Sequence, residues 1–421
     1  MNNQLVNAIK QNAKHLKEPD DFLVVIEEID QQKYVLLGES SHGTSEFYTI
    51  RADLTKKLIV EKGFHFIAVE GDWPACQQVN RYIKGFDQAS ANARDVLTSF
   101  NRWPTWMWAN EEMISLIEWL KEYNQTQPKD KQVGFYGIDI YSLWESMDEI
   151  LKYLVKTNSP LAQSTRNAFS CFEPFNRHPE KYAVAASFYS EGCHDEVFKL
   201  LTEIRLHKKH FSNTEESHLN IEVNAIVTAN AEKYYRTMVV DDNESWNIRD
   251  RHMVEVINKI SDWYGSDAKG IIWEHNTHVG DARATDMVKE GIENVGQLLR
   301  EQIGKEKLFI IGFGTHRGTV IAADEWGVNL ERMIIPPAIA GSFEDAMHKA
   351  GPHDKLLVFN EQNKHHFQQT IGHRAIGVVY DPQYEQYGNY VPSVMSKRYD
   401  AFIYVNYTNG LTPLVVEEVI L

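Results

Sequence analysis

Short β-rich runs alternate with helical segments along the first third of the chain, and this alternation limits the fold more than any other feature. The runs KYVLLG (33–38), FHFIAV (64–69) and VGFYGI (133–138) are each followed by a stretch with helical periodicity. Strands buried on both faces and separated by helices are typical of a parallel sheet covered by helices on both sides. The pattern therefore predicts an α/β fold.

The middle of the chain, residues 160–262, has a different character. It contains no strand-like run and carries long helical periodicity, as in HLNIEVNAIVTANAEKYYRTMVV. Further β-rich runs follow at 270–276, 307–314, 355–360, 375–380 and 401–406. Because these later strands must join the same sheet, we predict an α/β core of mostly parallel strands with helices on both faces, built from 1–159 and 263–421. Residues 160–262 are predicted to form a large helical insertion or lobe.

Composition and charge exclude several classes of function. The formal net charge of -16 argues against nucleic-acid binding, because phosphate contacts need clustered Lys and Arg. The N-terminal segment does not have the basic-then-apolar order of a signal peptide, and no apolar run is long enough to span a bilayer. The three cysteines form neither a CxxC pair nor an even disulfide framework, which is typical of a reducing cytosol. We therefore expect a cytoplasmic protein that binds neither nucleic acid nor membranes.

Chemically versatile side chains follow several of the predicted strands. They are Glu39 and His42, then Glu70, Asp72 and Trp73, then Asp139, then His275 and His278, and finally His316. In open α/β sheets, ligands gather in the crevice outside the carboxyl ends of the strands. Chance placement would scatter such groups over both edges of the sheet. The sequence therefore predicts a site at this edge.

The most informative of these segments joins the first strand to the next helix. His42 precedes a helix that starts near Thr44, and the positive end of a helix favours a neutral imidazole. Glu39 pulls the other way and could orient the ring through a hydrogen bond. A neutral, oriented imidazole is what a general base needs to activate water. Arg51 lies further along the same helix, where its charge could stabilise an anionic intermediate.

Each of these residues also has a structural explanation when it is taken alone. His42 could be a capping or packing residue, Glu70 an N-cap acceptor and Arg51 a solvated helix residue. The HNTH segment could be two surface histidines beside a turn. Ser40 and Ser41 lack a GxSxG context, which disfavours a nucleophilic serine. The segment GFGTHRG lacks the spacing of a phosphate-binding or dinucleotide loop, so no nucleotide cofactor is expected.

Three segments, GESSHGTSEFYTIRADL, FIAVEGDW and IIWEHNTHVG, resemble the signature blocks of the erythromycin esterase family, some members of which are labelled succinoglycan biosynthesis proteins. The resemblance covers most of the chain. It implies an α/β core with a helical lobe. It also implies hydrolysis of an ester or lactone bond, as in macrolides, by a histidine-activated water without a metal or other cofactor.

The resemblance also assigns catalytic roles around that water molecule. His42 would be the general base, and Glu39 and Glu70 would orient it or the water. Arg51 and His278 would contact the substrate or the developing oxyanion.

Other residues would bind the small-molecule ester or lactone substrate. Arg249, in the segment WNIRDRHM, matches an Arg-Asp position that faces the cleft in the family. The expected substrate-binding residues are His275, Arg249, Asp72, Trp73 and His316. A cluster of indoles at Trp103, Trp106 and Trp108 could line a large apolar pocket or could belong to the hydrophobic core.

Other functional hypotheses remain open from the sequence. The histidines and glutamates of the predicted site are ligand types for zinc or manganese, although HNTH does not have the helical HExxH spacing of metalloproteases. A haem or iron-binding role could use the same histidines, although no CxxCH occurs. A transferase or accessory role in polysaccharide assembly follows only from the alternative label of the family.

Overall fold

A nine-stranded sheet forms the centre of the protein in a computed structural model that describes residues 3–18, 20–86, 90–189, 192–207 and 214–414. In chain order, the strands are β1 (Lys14–His15), β2 (Tyr34–Leu37), β3 (Phe66–Asp72), β4 (Gly134–Asp139), β5 (Gly270–Trp273), β6 (Leu308–Ala322), β7 (Glu331–Ile335), β8 (Lys355–Val358), β9 (Thr370–Arg374), β10 (Tyr390–Val394) and β11 (Ala401–Thr408). The order across the sheet is β1-β8-β11-β6-β2-β5-β3-β4, with β7 paired to β6, and β9 and β10 form a separate ribbon.

Most strand pairs in this sheet are parallel, as predicted. The pairs from β11 through β6, β2, β5 and β3 to β4 all run in the same direction. Antiparallel pairing occurs between β1 and β8, between β8 and β11, and between β6 and β7. The carboxyl ends of β2, β3, β4 and β5 therefore lie together at one edge of the sheet.

Helices cover both faces of the sheet, which confirms the predicted α/β class. In chain order, the helices are α1 (Asn3–Asn12), α2 (Ser45–Lys62), α3 (Trp73–Ile83), α4 (Ala93–Leu97), α5 (Glu111–Gln125), α6 (Leu143–Lys156), α7 (Leu161–Phe169), α8 (Pro179–Phe188), α9 (His194–His207), α10 (Ser217–Met238), α11 (Asp242–Tyr264), α12 (Asn276–Val279), α13 (Val295–Ile303), α14 (Phe343–Lys349), α15 (Glu385–Gly388) and α16 (Met395–Arg398). Strand β2 shows the layering, since Val35 and Leu37 pack with α2 and α5 while Tyr34 and Leu36 pack with α6, α10 and α11.

The helices α7 to α11 occupy the region predicted to be a helical lobe. Buried side chains of α10 and α11, such as Val227 and Val256, belong to the same apolar cluster as Leu36 and Ala68 of the sheet. Shared burial of this kind fixes the position of the long helices on the sheet. The division into a core of 1–159 and 263–421 and a lobe of 160–262 stays a prediction.

A disulfide joins Cys171 and Cys193 within this helical region. The expectation that the cysteines form no disulfide is therefore wrong. The sequence did not reveal this pair because the two cysteines lie 22 positions apart, and the packing of the 170–175 turn near the start of α9 brings them together. The cysteine pattern consequently carries no argument about the compartment.

Among the described residues, no helix is both long and apolar enough to cross a membrane.

One predicted strand was misplaced. The run 375–380 forms only isolated bridges at Ile376 and Val379, whereas the strand β9 lies just before it at 370–374. Strand β9 pairs with β10 in the separate ribbon and does not join the central sheet. The apolar residues of this run are explained by packing instead, since Ile376 belongs to a small apolar cluster with residues of β6 and β7.

Candidate active site

A cavity of about 560 Å³ opens beyond the carboxyl ends of β3, β4 and β5. We call the buried end of this cavity its floor. The floor consists of five side chains that are buried or nearly so: His42, Glu70, Arg249, His275 and His278. Its mouth consists of less buried, mainly apolar and aromatic side chains, which include Pro104, Tyr141, Trp326, Val378 and Val391. The sequence predicted the floor at this edge of the sheet.

The segment after β2 reaches the site because it passes very close to the 275–278 segment. A Cβ atom at Gly38 would lie 2.1 Å from Oδ1 of Asn276, so a larger residue would clash there. The backbone N–H of Asn276 donates to the carbonyl oxygen of Glu39 at 2.8 Å. Two of the segments that resemble the family signatures are therefore in direct contact.

Glu39 links His42 to Arg51. Its Oε1 accepts a hydrogen bond from Nδ1 of His42 at 3.0 Å, and its Oε2 accepts one from Nη2 of Arg51. All three side chains are buried. A ring that donates through Nδ1 presents its unprotonated Nε2 in the other direction. In this structure Nε2 of His42 lies on the cavity side, 3.9 Å from Oε1 of Glu70.

Glu70 is the central acceptor of the floor. Its Oε1 accepts from Nη2 of Arg249 at 2.7 Å and lies 3.5 Å from Nε2 of His278. Its Oε2 accepts the backbone N–H of His275 at 2.8 Å. Burial opposes the charged form, but His278, His42 and Arg249 outweigh it and lower the pKa of Glu70. The floor is therefore built around a carboxylate.

The charge on these carboxylates changes the basicity of His42. Burial lowers the pKa of His42, whereas the charge of Glu70 and the hydrogen bond and charge of Glu39 raise it, and the net shift is upward. The two carboxylates therefore act against the helix end, which was expected to favour the neutral ring. A raised pKa makes Nε2 of His42 a stronger proton acceptor.

His278 is held by three neighbours. Its Nδ1 lies 2.9 and 3.0 Å from the two carboxylate oxygens of Asp250, so this nitrogen carries the proton. Its Nε2 then accepts from Nη1 of Arg249 at 2.9 Å. The ring stacks on the indole of Trp246 with a centroid separation of 4.6 Å and an interplanar angle of 8°. These contacts fix both the tautomer and the orientation of His278.

Arg249 has one N–H group to spare. Its Nε and Nη2 donate to the two oxygens of Asp139 at 2.9 and 2.8 Å, Nη2 also donates to Glu70, and Nη1 donates to His278. A guanidinium has five N–H donors, of which these bonds use four. The remaining donor, on Nη1, has no acceptor among the described residues. Because Arg249 lines the cavity, this N–H can reach a ligand.

His275 contributes a neutral ring beside His42. Its Nδ1 accepts the backbone N–H of Thr277 at 3.3 Å, which caps the start of α12. Its ring centroid lies 4.9 Å from that of His42. Burial, with the charge of His42 second, lowers the pKa of His275 well below its usual range. The residue therefore limits how much positive charge the floor carries.

An aspartate at the end of β3 and another at the end of β4 each form an ion pair with an arginine. Asp72 accepts from Nε and Nη2 of Arg102 at 2.6 and 2.8 Å, in the same way that Asp139 accepts from Arg249. The ring of Tyr141 lies near both guanidinium groups, at 5.2 Å from Arg102 and 5.0 Å from Arg249. These two ion pairs and the tyrosine form one wall of the cavity.

Comparison with known proteins identifies the family. The sequence model of the erythromycin esterase family matches residues 59–408. The chain belongs to the erythromycin esterase family. It is also 23% identical over 406 residues to the protein named "Putative hydrolase YbfO" of Bacillus subtilis (strain 168), and the match covers 91% of this chain and 85% of that protein. Membership in this family supports a hydrolase.

Two solved structures have the same fold. A succinoglycan biosynthesis protein superposes with a TM-score of 0.79 at 20% identity, covering 97% of this chain and 98% of the other. A mutant of the erythromycin esterase EreC in its open conformation superposes with a TM-score of 0.64 at 15% identity, covering 93% and 95% of the two chains. At these identities the likeness shows the fold.

Apart from Glu39, which is hydrogen-bonded to His42, three predicted site residues do not line the cavity. Arg51 is fully buried between the rings of Tyr48 and Trp273, at 4.6 Å from each, so it cannot contact a substrate or oxyanion. Trp73 is 1% exposed because it begins α3 and packs into the core, stacked on Tyr136. The expectations of ligand contact by these two residues are corrected accordingly.

The third, His316, is displaced because β6 continues through Ala322 and does not end near residue 314. His316 therefore lies in mid-strand and stacks on His348 of α14, with a centroid separation of 3.8 Å. It is not part of the cavity lining. Strand length, which hydrophobic pattern alone does not fix, decided this placement.

The sequence prediction did not name Trp246 or Trp326, and it included Asp250 only as the second residue of an Arg-Asp pair with Arg249. Trp246, Arg249 and Asp250 occupy positions i, i+3 and i+4 of α11, so helical periodicity would have placed all three on one face. Of the three indoles in the aromatic cluster, Trp106 belongs to the core, Trp108 lines the cavity and donates to the carbonyl of Glu70, and Trp103 contacts Trp326 of the mouth. No sequence pattern linked Trp326 to this cluster.

Proposed function

We propose that the protein is a carboxylic ester hydrolase that cleaves an ester or lactone bond with a water molecule activated by His42, without a metal ion. The observation that carries this proposal is the Glu39–His42 hydrogen bond, which leaves the unprotonated Nε2 facing the cavity beside Glu70. Membership in the erythromycin esterase family supports ester or lactone substrates of macrolide-like size.

In the first step, Nε2 of His42 accepts a proton from water while the water oxygen attacks the ester carbonyl carbon. Glu39 stabilises the imidazolium that forms, and Arg51 holds Glu39 in place from the buried side. Glu70 lies within reach of a water bound at Nε2 of His42 and can orient it. The raised pKa of His42 increases the driving force for this proton transfer.

The carbonyl oxygen becomes an oxyanion in the tetrahedral intermediate. In this proposal the spare N–H on Nη1 of Arg249 donates to the oxyanion, and the other donors of Arg249 are fixed by Asp139, Glu70 and His278. A donor that is oriented before the reaction lowers the barrier without reorganisation. This role replaces the one expected for Arg51.

In the second step, the intermediate collapses and the bond to the alkoxide leaving group breaks. The proton on Nε2 of His42 passes to the alkoxide oxygen, so the products are an alcohol and a carboxylic acid and His42 is neutral again. For a lactone, both groups remain on one ring-opened molecule. No covalent enzyme intermediate is required.

The test is hydrolysis of a panel of simple esters, lactones and macrolides by the wild type, His42→Ala and His316→Ala. We expect loss of about 1,000-fold in kcat for His42→Ala, within the range for removal of a general base. His316→Ala is the matched control, since His316 is a buried histidine outside the cavity, and it should keep its activity. Undiminished hydrolysis by His42→Ala would contradict the proposal.

A second arm tests the role of metal. Prolonged treatment of the wild type with a chelator should leave kcat unchanged. Loss of activity that returns on addition of zinc or manganese would favour a metallohydrolase instead.

The cytoplasmic location expected from the sequence remains part of the proposal and is tested by fractionation of cells that express the protein.

A further inference from the structure

Two loops from distant parts of the chain meet at the mouth of the cavity. The indole of Trp103 contacts the indole of Trp326 with a centroid separation of 4.5 Å. Trp103 lies just before the short 3₁₀ helix Thr105–Met107. Nε1 of Trp103 also donates to the carbonyl oxygen of Val328 at 2.9 Å. We call Trp103 and Trp326 the aromatic bridge. It ties the loop after α4 to the loop between β6 and β7.

Trp326 leaves much of its indole uncovered. The residue lines the cavity, yet it is 57% exposed. Its neighbours within the protein, Trp103 and Tyr141, contact it at 4.5 and 6.3 Å between ring centroids. A large exposed aromatic surface in a concave site marks a place where apolar ligand surface can be covered.

Tyr141 makes this surface rigid. Its ring lies near the guanidinium groups of Arg102 and Arg249, and each of these is held by an aspartate at a strand end. The rings of Tyr141 and Trp326 form a T-shaped pair with an interplanar angle of 62°. Because Tyr141 is anchored to the sheet, the aromatic bridge has a fixed position relative to the charged floor.

The rest of the mouth is compatible with an apolar ligand. Pro104, Val378 and Val391 contribute aliphatic surface to the lining of the same cavity. The floor, by contrast, carries carboxylates, histidines and a guanidinium. A substrate that fits both parts has a polar ester group at one end and an apolar ring system at the other.

We propose that Trp326, supported by Trp103, is a specificity-determining residue that stacks on an apolar ring of the substrate while the ester group occupies the floor. This inference rests on the proposed ester hydrolase function and assigns a substrate class to it: esters or lactones whose body carries an alicyclic or aromatic ring. Trp326 acts on binding of the ring and has no part in bond cleavage.

The experiment compares three esters by proton release: methyl butanoate, methyl 4-cyclohexylbutanoate and cyclohexylmethyl butanoate. The first has no ring, and the others carry one on the acyl or the alcohol side. For Trp326→Ala we expect KM for at least one ring-bearing ester to rise about 10-fold with kcat retained, because uniform binding is lost. The constants for methyl butanoate should not change.

Two further variants separate stacking from general damage. Trp326→Phe keeps an aromatic face and should retain most of the selectivity for ring-bearing esters. Tyr407→Ala removes a ring of similar exposure, 54%, that lies outside the cavity, and it should behave as wild type. An equal change for all three esters in Trp326→Ala, or no change for any of them, would overturn the inference.

A binding measurement keeps this test independent of turnover. Calorimetry with N-methyl-4-cyclohexylbutanamide, which lacks an ester bond, measures recognition of the ring alone. If the wild type cleaves none of the esters, the proposed function fails, and weaker amide binding by Trp326→Ala still supports the ring subsite. If the esters are cleaved but the variants do not differ in ester KM or amide Kd, only the inference about Trp326 fails.

Discussion

The floor and the mouth of the cavity are built in opposite ways. The floor consists of buried groups from strand ends and α11 that are held by hydrogen bonds, as Glu70 is by Arg249 and by the backbone N–H of His275. The mouth consists of exposed rings on loops, such as Trp326, held by ring contacts and one hydrogen bond from Trp103. The comparison indicates that chemistry is fixed by the sheet and selectivity by the loops.

The largest effect expected within the floor, apart from His42 itself, is at Glu70. Glu70→Gln keeps the size of the side chain but removes the charge that pairs with Arg249 and raises the pKa of His42. We expect kcat to fall about 1,000-fold, because water orientation and the basicity of His42 are both affected. The measurement is steady-state hydrolysis of methyl butanoate. A fall limited to KM would mean that Glu70 only binds substrate.

A smaller effect is expected at Asp250, which contacts no ligand itself. Asp250→Asn preserves shape but removes the carboxylate that fixes the proton on Nδ1 of His278. We expect kcat to fall about 100-fold through misorientation of Arg249, with KM little changed. Asp250→Glu should recover part of this loss. A variant that loses stability but keeps kcat would show that Asp250 is structural only.

The sequence could predict the floor but not the mouth, because strand order fixes the first and loop conformation fixes the second. Glu39, His42, Glu70 and His275 could be placed together because the carboxyl ends of parallel strands meet at one edge. Trp326 could not be connected to the site, because its contact with Trp103 spans more than 200 residues and depends on loop conformation.

The errors in the fold have similar causes. His316 was misplaced because an apolar run does not show where a strand ends, and β6 continues well past its glycine-rich segment. Arg51 was expected to contact substrate, but side-chain direction on α2 turns it toward Trp273 and away from the cavity. The Cys171–Cys193 pair depended on tertiary packing of the helical region.

The smallest effect on activity is expected at this disulfide, which lies in neither the floor nor the mouth. Replacing both cysteines, Cys171→Ser with Cys193→Ser, should lower the stability of the helical region by about 3 kcal/mol for a loop of this length. Hydrolysis of methyl butanoate at 25 °C should stay within about twofold of wild type, since no site contact is lost. Thermal unfolding with and without reductant is the measurement, and reductant should lower the Tm of the wild type alone. A Tm that reductant does not change in the wild type would contradict a stabilising bond.

The most direct test of the account is the pH dependence of kcat/KM for the wild type and Glu39→Gln. The base is active when His42 is neutral, so activity rises with pH through the pKa of His42, and the raised pKa places this acid limb above 6.5. Glu39→Gln removes the charge that raises this pKa and leaves only a neutral hydrogen-bond acceptor, so the limb should move to lower pH as kcat falls. An acid limb below 6.5, or a limb unmoved by Glu39→Gln, would contradict the assignment of His42 as the base.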